Sequence, residues 1–329
     1  MKSQIEKLNH NSPLYLTMYF VFKGGEKPII KMVDLDQSLV ESLAVKFKNF
    51  LIDNYTKEGL RSGVLSTADE RNYDYLVFDI DLPSPLNELK NLTDKPDVPK
   101  YKYSIDKDLS LDGYIFIFGN AQVQFTAYKE HYPIDIVNRQ VFTLLGIVNI
   151  YQDNTRFVSA SDSDILKISD KLDFLMIDDT LYVLNSKTLE RNFKVHNILN
   201  KMAGEFINQI NNDLVDNVDF IHEIISLKPA FARKVLRVNR NSPVIGLPFK
   251  SIKAFVQAHP HLVGKLSFNE NGDRFLLNSI VSAELFIKLM DDDFLKSELS
   301  QQLYDSIAKD GIITMKSESK TTKKKRILK

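Results

Sequence analysis

Near the start of the chain two apolar stretches flank a glycine pair: LYLTMYFVF follows Pro13, Gly24-Gly25 comes next, and PIIKMVDL resumes at Pro28. Dense β-formers on either side of a turn predict two strands. From Asp36 the spacing changes. Val40, Leu43, Phe47, Phe50 and Leu51 recur at the helical period, predicting an amphipathic helix to about Asn54. Tyr75–Ile80 (YLVFDI) reads as a strand, whereas Pro83, Pro85, Pro96 and Pro99 bar long regular elements from Asp81 to Asp112. That stretch is expected to be a surface loop with at most a short helix. GYIFIFGNAQVQFTAYKE then predicts a hairpin turning at Gly119-Asn120, because positive φ in a two-residue turn suits the strand twist. Pro133 ends it. Val141–Tyr151 is a further apolar segment, and Ile165–Ser169, Phe174–Ile177 and Leu181–Leu184 form a second meander with a turn at Asp178-Asp179.

After Asn185 the period is helical. Asn185 or Ser186 can cap a helix in which Val195, Leu199, Met202, Phe206 and Ile210 recur at three- and four-residue steps. Further helices are predicted over Val215–Ile225, Pro229–Asn239, Pro248–Ala258, Ile280–Met290 and Phe294–Ala308, with Pro229 suited to a first turn. No internal repeat is visible. The expected fold class is α+β: a β-rich N-terminal domain over residues 1–185 with a mixed or antiparallel sheet and hairpins, a helical domain with a basic surface over 186–315, and a flexible basic tail over 316–329.

Charge changes this picture more than composition does. The 43 basic and 43 acidic residues cancel, yet Ile224–Asn269 holds eight Lys or Arg and no acid. Compensating acid is concentrated from Ala68 to Asp112, where eleven Asp and Glu face six Lys and Arg. Such asymmetry suits a polyanion. The chain has no Cys, which excludes disulfides and thiolate zinc sites. No apolar run reaches the roughly 20 residues that span a bilayer, and the start lacks the apolar core of a signal peptide, so the protein is expected in the cytoplasm.

The helix after Pro229 carries the first candidate site. On a helical wheel Ala232, Val235 and Leu236 share one side, and Arg233, Arg237 and Arg240 form a stripe beside them with Lys234 beyond. This predicts a cationic row facing solvent, which Lys250, Lys253 and Lys265 would extend as a phosphate-contacting track. The alternative is a helix face pairing with the acidic N-terminal half. Lys323, Lys324, Lys325 and Arg326 would add an auxiliary contact from the tail. His259 and His261 flank Pro260, and a structural turn outweighs metal or phosphate binding there because no third ligand is near in sequence. Asp79 and Asp81 at the end of a strand would point the same way and could hold a divalent metal, the basis of an alternative reading as a metal-dependent nuclease. Asp291, Asp292 and Asp293 are expected to cap the last helix. No Walker, GxGxxG, GxSxG or HExxH motif occurs, so the residues supply no positive evidence for an enzyme and call for no cofactor.

Three stretches together resemble a known family: YKEHYPI from Tyr128 to Ile134, LYVLNSKTLERNFKVHN from Leu181 to Asn197, and KLMDDDFLKSELSQQLYD from Lys288 to Asp305. The family is that of the B protein of the Kiwa anti-phage defence system, and the resemblance covers roughly the C-terminal two-thirds. It implies a cytoplasmic effector that binds DNA with little sequence preference and hinders phage replication and late transcription. It also implies at least a homodimer, and a small membrane-embedded partner subunit that recruits the protein to the inner face of the membrane. Within the first motif Lys129 is a candidate phosphate contact, with Tyr128 and Tyr132 stacking on bases or sugars; core packing of the two rings is the competing reading.

Overall fold

The computed structural model describes residues 1–305 except 26, 70, 95–96, 132–149, 154–155, 160–167, 169–170, 211–213, 297–299 and 301. Residues 141–149, most of Ile165–Ser169 and the basic stretch 316–329 therefore lie outside the described residues.

An eight-stranded sheet organises the chain. Its strands are β1 (Tyr15–Phe22), β2 (Ile29–Val33), β3 (Ser62–Val64), β4 (Tyr75–Val77), β5 (Leu111–Asn120), β6 (Val123–Glu130), β9 (Phe174–Ile177) and β10 (Thr180–Val183), in the order β2-β1-β5-β6-β9-β10-β4-β3. Every pair is antiparallel except β3 with β4. Ile150–Asp153 and Arg156–Ser159 (β7, β8) form a separate hairpin. The central strand β5 is buried on both faces from Gly113 to Asn120, which is why its sequence is an almost unbroken apolar run. Tyr114, Phe116 and Phe118 face one side. There they meet Leu16, Met18 and Phe20 of β1 and the buried stripe Leu43, Phe47, Leu51 of helix α2 (Gln37–Tyr55), which follows the short α1 (Lys2–Glu6). The Phe47 ring lies 4.5 Å from Phe116 and 5.7 Å from Phe118. Asp36 caps α2 by accepting from the Leu39 amide at 2.9 Å.

The opposite face packs on the helical half. Val21, Ile115, Tyr128, Phe174 and Leu181 join one continuous core with α5 (Ser186–Phe193), α6 (Val195–Ile210), α7 (Asp219–Leu227), α8 (Pro229–Asn241), α9 (Phe249–Ala258) and α10 (Ile280–Met290). This is an α+β fold: a β-rich N-terminal region followed by helices.

Several elements differ from the sequence expectation. The Asp81–Asp112 stretch holds two helices, α3 (Ser84–Lys90) and α4 (Tyr103–Asp106), and a 3-10 turn at Asn91–Asp94. Buried Leu86 and Leu92 anchor it, since prolines bar long elements but not single turns. The hairpin turns at Ala121-Gln122 because the Asn120 carboxamide accepts from the amides of Gln122 and Val123. Gly119 precedes the turn where an added Cβ would collide with the Val123 carbonyl oxygen. The helix expected through Val195 is broken at Lys194, which takes a left-handed conformation (φ 49°, ψ 36°). Strand β4 stops at Val77, short of Asp79. In place of a last helix from Phe294, Phe294–Lys296 pairs with Leu303–Asp305 as a hairpin (β13, β14), as do Ser267–Phe268 and Phe275–Leu276 (β11, β12) earlier.

Phe47 is fully buried between helix and sheet, whereas Phe255 is 42% exposed. Phe47→Ala should cost about 3–5 kcal/mol in urea unfolding and Phe255→Ala less than about 1 kcal/mol.

Candidate functional site

The strand and helix motifs of the sequence meet at one place. The end of β1, the start of β5, the end of β6 and the C-terminus of α5 surround a cavity of 1050 Å³. β5 and β6 are in register there, Gly113 opposite Glu130 and Tyr114 opposite Lys129, and the His131 amide donates to the Asp112 carbonyl at 2.8 Å. Gly113 has a specific reason to lack a side chain. A Cβ on it would collide with the Tyr128 hydroxyl, which crosses over that backbone.

A buried polar network supports the cavity from below. Glu130 accepts from the Arg191 guanidinium, from the Asn192 amide at 3.1 Å and from the Thr188 hydroxyl at 3.3 Å. Asp173 accepts from the Glu130 backbone amide at 2.7 Å, the Asn185 carboxamide at 2.8 Å and Thr188 at 3.1 Å. The strand carboxylates thus hold the first two turns of α5. Asn185 meanwhile caps that helix on the Lys187 amide at 3.2 Å. Around the network, burial pushes the Tyr128 hydroxyl pKa well up, the charges of Asp112, Glu130 and Asp173 add to it, and the Asn192 amide offsets a little. Burial also raises Tyr114 and lowers His131, for which the Asp112 charge is a partial counterweight; the two side chains hydrogen-bond to each other.

The cationic helix is placed differently from its expectation. Arg233 pairs with Glu190, Lys234 with Asp293, Arg237 with Asp291 and Arg240 with Asp79. Arg237 is bidentate, Nη2 to Oδ2 at 2.6 Å and Nε to Oδ1 at 3.1 Å, and its side chain is 19% exposed. Burial lowers the Arg237 pKa most among single effects, but the hydrogen bond to Asp291 and the charges of Asp291, Asp293 and Asp69 together raise it. The expected solvent row is therefore an ion-pair seam, half-buried at Arg233, Lys234 and Arg237 and exposed at Arg240, because the wheel shows which residues share a face but not what stands opposite. Asp291–Asp293 follow α10 rather than cap a later helix. Asp291 and Asp293 are buried as partners of this seam, and Asp292 turns the chain with φ 56°.

The remaining candidates separate. Lys129 is buried at 6% exposure, so it is no exposed phosphate contact; Tyr128 is core, and Tyr132 lies outside the described residues. Lys253 donates to the Gly272 carbonyl at 2.7 Å and lies 5.0 Å over the Phe268 ring. Lys250 and Lys265 are exposed. Lys323, Lys324, Lys325 and Arg326 lie outside the described residues. Asp79 and Asp81 do not form a shared carboxylate face: Asp79 accepts from the Ser66 amide at 3.0 Å and its hydroxyl at 2.6 Å and pairs with Arg240, while Asp81 is exposed beyond the strand. His259 is a buried turn residue, its ring 5.2 Å from both Phe255 and Phe294.

A family model described as "Kiwa protein KwaB-like" matches residues 109–300, more than half of the chain. The chain belongs to the Kiwa protein KwaB-like family. A similar protein is Kiwa protein KwaB of Escherichia coli O55:H7 (strain RM12579 / EPEC), 29% identical over 281 residues, covering 84% of this chain and 86% of that protein. No solved structure matches. Membership makes this protein a component of an anti-phage defence system. All three motifs contribute to the geometry above: Glu130 from the first, Arg191 and Asn192 from the second, Asp291 and Asp293 from the third. Sequence reading missed Asp173 and the partnership of Asp79 with Arg240. An acid flanked by the apolar residues of a predicted strand, as in Leu172-Asp173-Phe174, was the available signal for the first.

Lys234→Met takes the ammonium from fully buried Asp293 and should cost about 3 kcal/mol in urea unfolding, most of it recovered in Lys234→Met with Asp293→Leu. For His131 and His259 the folded pKa is depressed, chiefly by burial. Their stabilisation is complete above the unfolded value near 6.5 and is lost as pH falls from there through the folded pKa. Urea midpoints should therefore decline below about pH 6.5, and the decline should be shallower in His131→Gln.

Proposed function

We propose that this protein is the DNA-binding effector of its defence system. On this reading it holds DNA with little sequence preference and works as at least a homodimer. It acts with a small membrane-embedded partner subunit to hinder phage replication and late transcription. The observation that carries the reading is the acid-free tract from Ile224 to Asn269. Its Arg233, Lys234, Arg237 and Arg240 are paired with carboxylates of the chain itself, but Lys250 and Lys265 stay exposed with no acidic neighbour in sequence. The seven basic residues between Lys316 and Lys329 add to the same sign of charge. Cations without a base-reading motif favour phosphate contacts, which orient a protein on DNA but carry no sequence information. No helix among the described residues is long and apolar enough to cross a membrane, so the partner would supply any anchorage.

Fluorescence anisotropy with duplexes of unrelated sequence tests this. Affinities should agree within a few-fold between sequences. If roughly six phosphates are neutralised, log affinity should fall with log salt at a slope near −5. Lys250→Glu with Lys265→Glu should weaken binding, and truncation after Thr314 should flatten the slope by several units without changing thermal stability. Salt-insensitive binding, or full affinity in both variants, would overturn the assignment. Arg233, Arg237 and Arg240 are unsuitable for this test, because their loss breaks the fold's own ion pairs first.

A further inference from the structure

We propose that the cavity between β1, β5, β6 and α5 is a binding site for a phosphorylated nucleoside, distinct from the DNA-contacting lysines of α9 and the loop after it. Its wall carries four cations, Lys23, Lys27, Arg191 and Lys194, against two carboxylates, Asp112 and Glu130. Glu130 is already engaged by Arg191, Asn192 and Thr188. Lys27 pairs with Glu88, whereas Lys23 and Lys194 have no ion pair among the described residues. Cations from separate chain segments thus converge with few acids to neutralise them. Arg191, oriented by Glu130, presents a planar fork suited to a phosphate.

Lys194 occupies the left-handed position that ends α5, where glycine would sit without strain. A lysine held there projects a charge at the cavity mouth at some conformational cost, and observed backbone strain of this kind clusters at ligand sites. The apolar part of the lining is Phe22, Pro28, Leu111, Tyr128 and Phe193; the three rings are packed into the core, and Pro28 and Leu111 are half-buried. The Tyr128 hydroxyl is 4% exposed with its residue and, apart from a loose contact with the Asn192 amide, has no hydrogen-bond partner. A buried hydroxyl left in this state calls for a partner that the protein itself does not supply. Asp112 beside it offers an acceptor for a sugar hydroxyl. The volume, 1050 Å³, is slightly above the roughly 300–1000 Å³ usual for small-molecule sites. A base against half-buried Pro28 and Leu111, a sugar at Tyr128 and Asp112, and a phosphate among Lys23, Arg191 and Lys194 use each part of the lining. A free nucleotide and the terminal nucleotide of a strand share this chemistry.

Titration calorimetry on the full chain decides the matter, with AMP, dAMP, adenosine, inorganic phosphate, and a short single strand with or without a 5′-phosphate as probes. Either mononucleotide should bind at least about tenfold more tightly than adenosine or phosphate alone, since one charge-assisted contact is commonly worth that factor. Lys23→Ala and Lys194→Gly should each weaken nucleotide binding about tenfold, and Tyr128→Phe a few-fold. Both lysines are exposed and Lys194→Gly relieves a strained backbone, so melting temperatures should not fall in these variants. Binding of the 5′-phosphorylated strand without binding of mononucleotides would support the site and assign its ligand to strand ends. No binding of any phosphorylated probe at about 1 mM overturns the proposal. Unchanged nucleotide affinity in both lysine variants overturns it too, and a parallel loss of duplex-DNA affinity in Lys194→Gly would merge the cavity with the DNA surface and overturn its independence.

Discussion

The placement of the helical half on the sheet rests on charge matching along α8. Its four cations reach carboxylates from three parts of the chain: Glu190 in α5, Asp291 and Asp293 after α10, and Asp79 after β4. Apolar packing of Ala232, Val235 and Leu236 brings the helix to the core, but such packing tolerates rotation and sliding. The buried pairs Lys234–Asp293 and Arg237–Asp291 do not, because a buried charge left without its partner would carry a desolvation cost of several kcal/mol. The seam therefore selects one orientation of α8 more than it adds net stability.

The same device recurs at the central strands of the sheet. Glu130 and Asp173 sit on adjacent segments of the sheet and receive Asn185, Thr188, Arg191 and Asn192 from α5 and its cap. That fixes where α5 begins, and so where it ends at Lys194. The cavity is a by-product of two constraints: a helix held low by strand carboxylates, and a tyrosine laid across a glycine on the neighbouring strand.

The strands β1, β2, β5, β6, β9 and β10 and helix α2 were legible in the sequence because each is governed by local apolar pattern. The α8 wheel correctly grouped Arg233, Arg237 and Arg240. What it could not supply was the environment, since Asp79 is 161 residues from Arg240 and no local rule links them. The short helices between Asp81 and Asp112 were hidden by prolines that break long periodicity, and the Phe294 hairpin by apolar spacing that fits a helix equally well. Lys129 was misjudged for a related reason: a lysine flanked by tyrosines says nothing of which face of its strand is covered.

The order of strands in the sheet has a consequence for synthesis. β3 and β4 are made early, yet they join the sheet through β10, which pairs with β4, so their place does not exist until about residue 183 has left the ribosome. Between those moments the β1–β2 and β5–β6 pairs can form from sequence-local contacts, while β3 and β4 have only each other to pair with. Closure is later still for Asp79, whose arginine is residue 240. The sheet is thus completed by long-range pairings and not by hairpins alone, and long-range pairing is the slower kind to form.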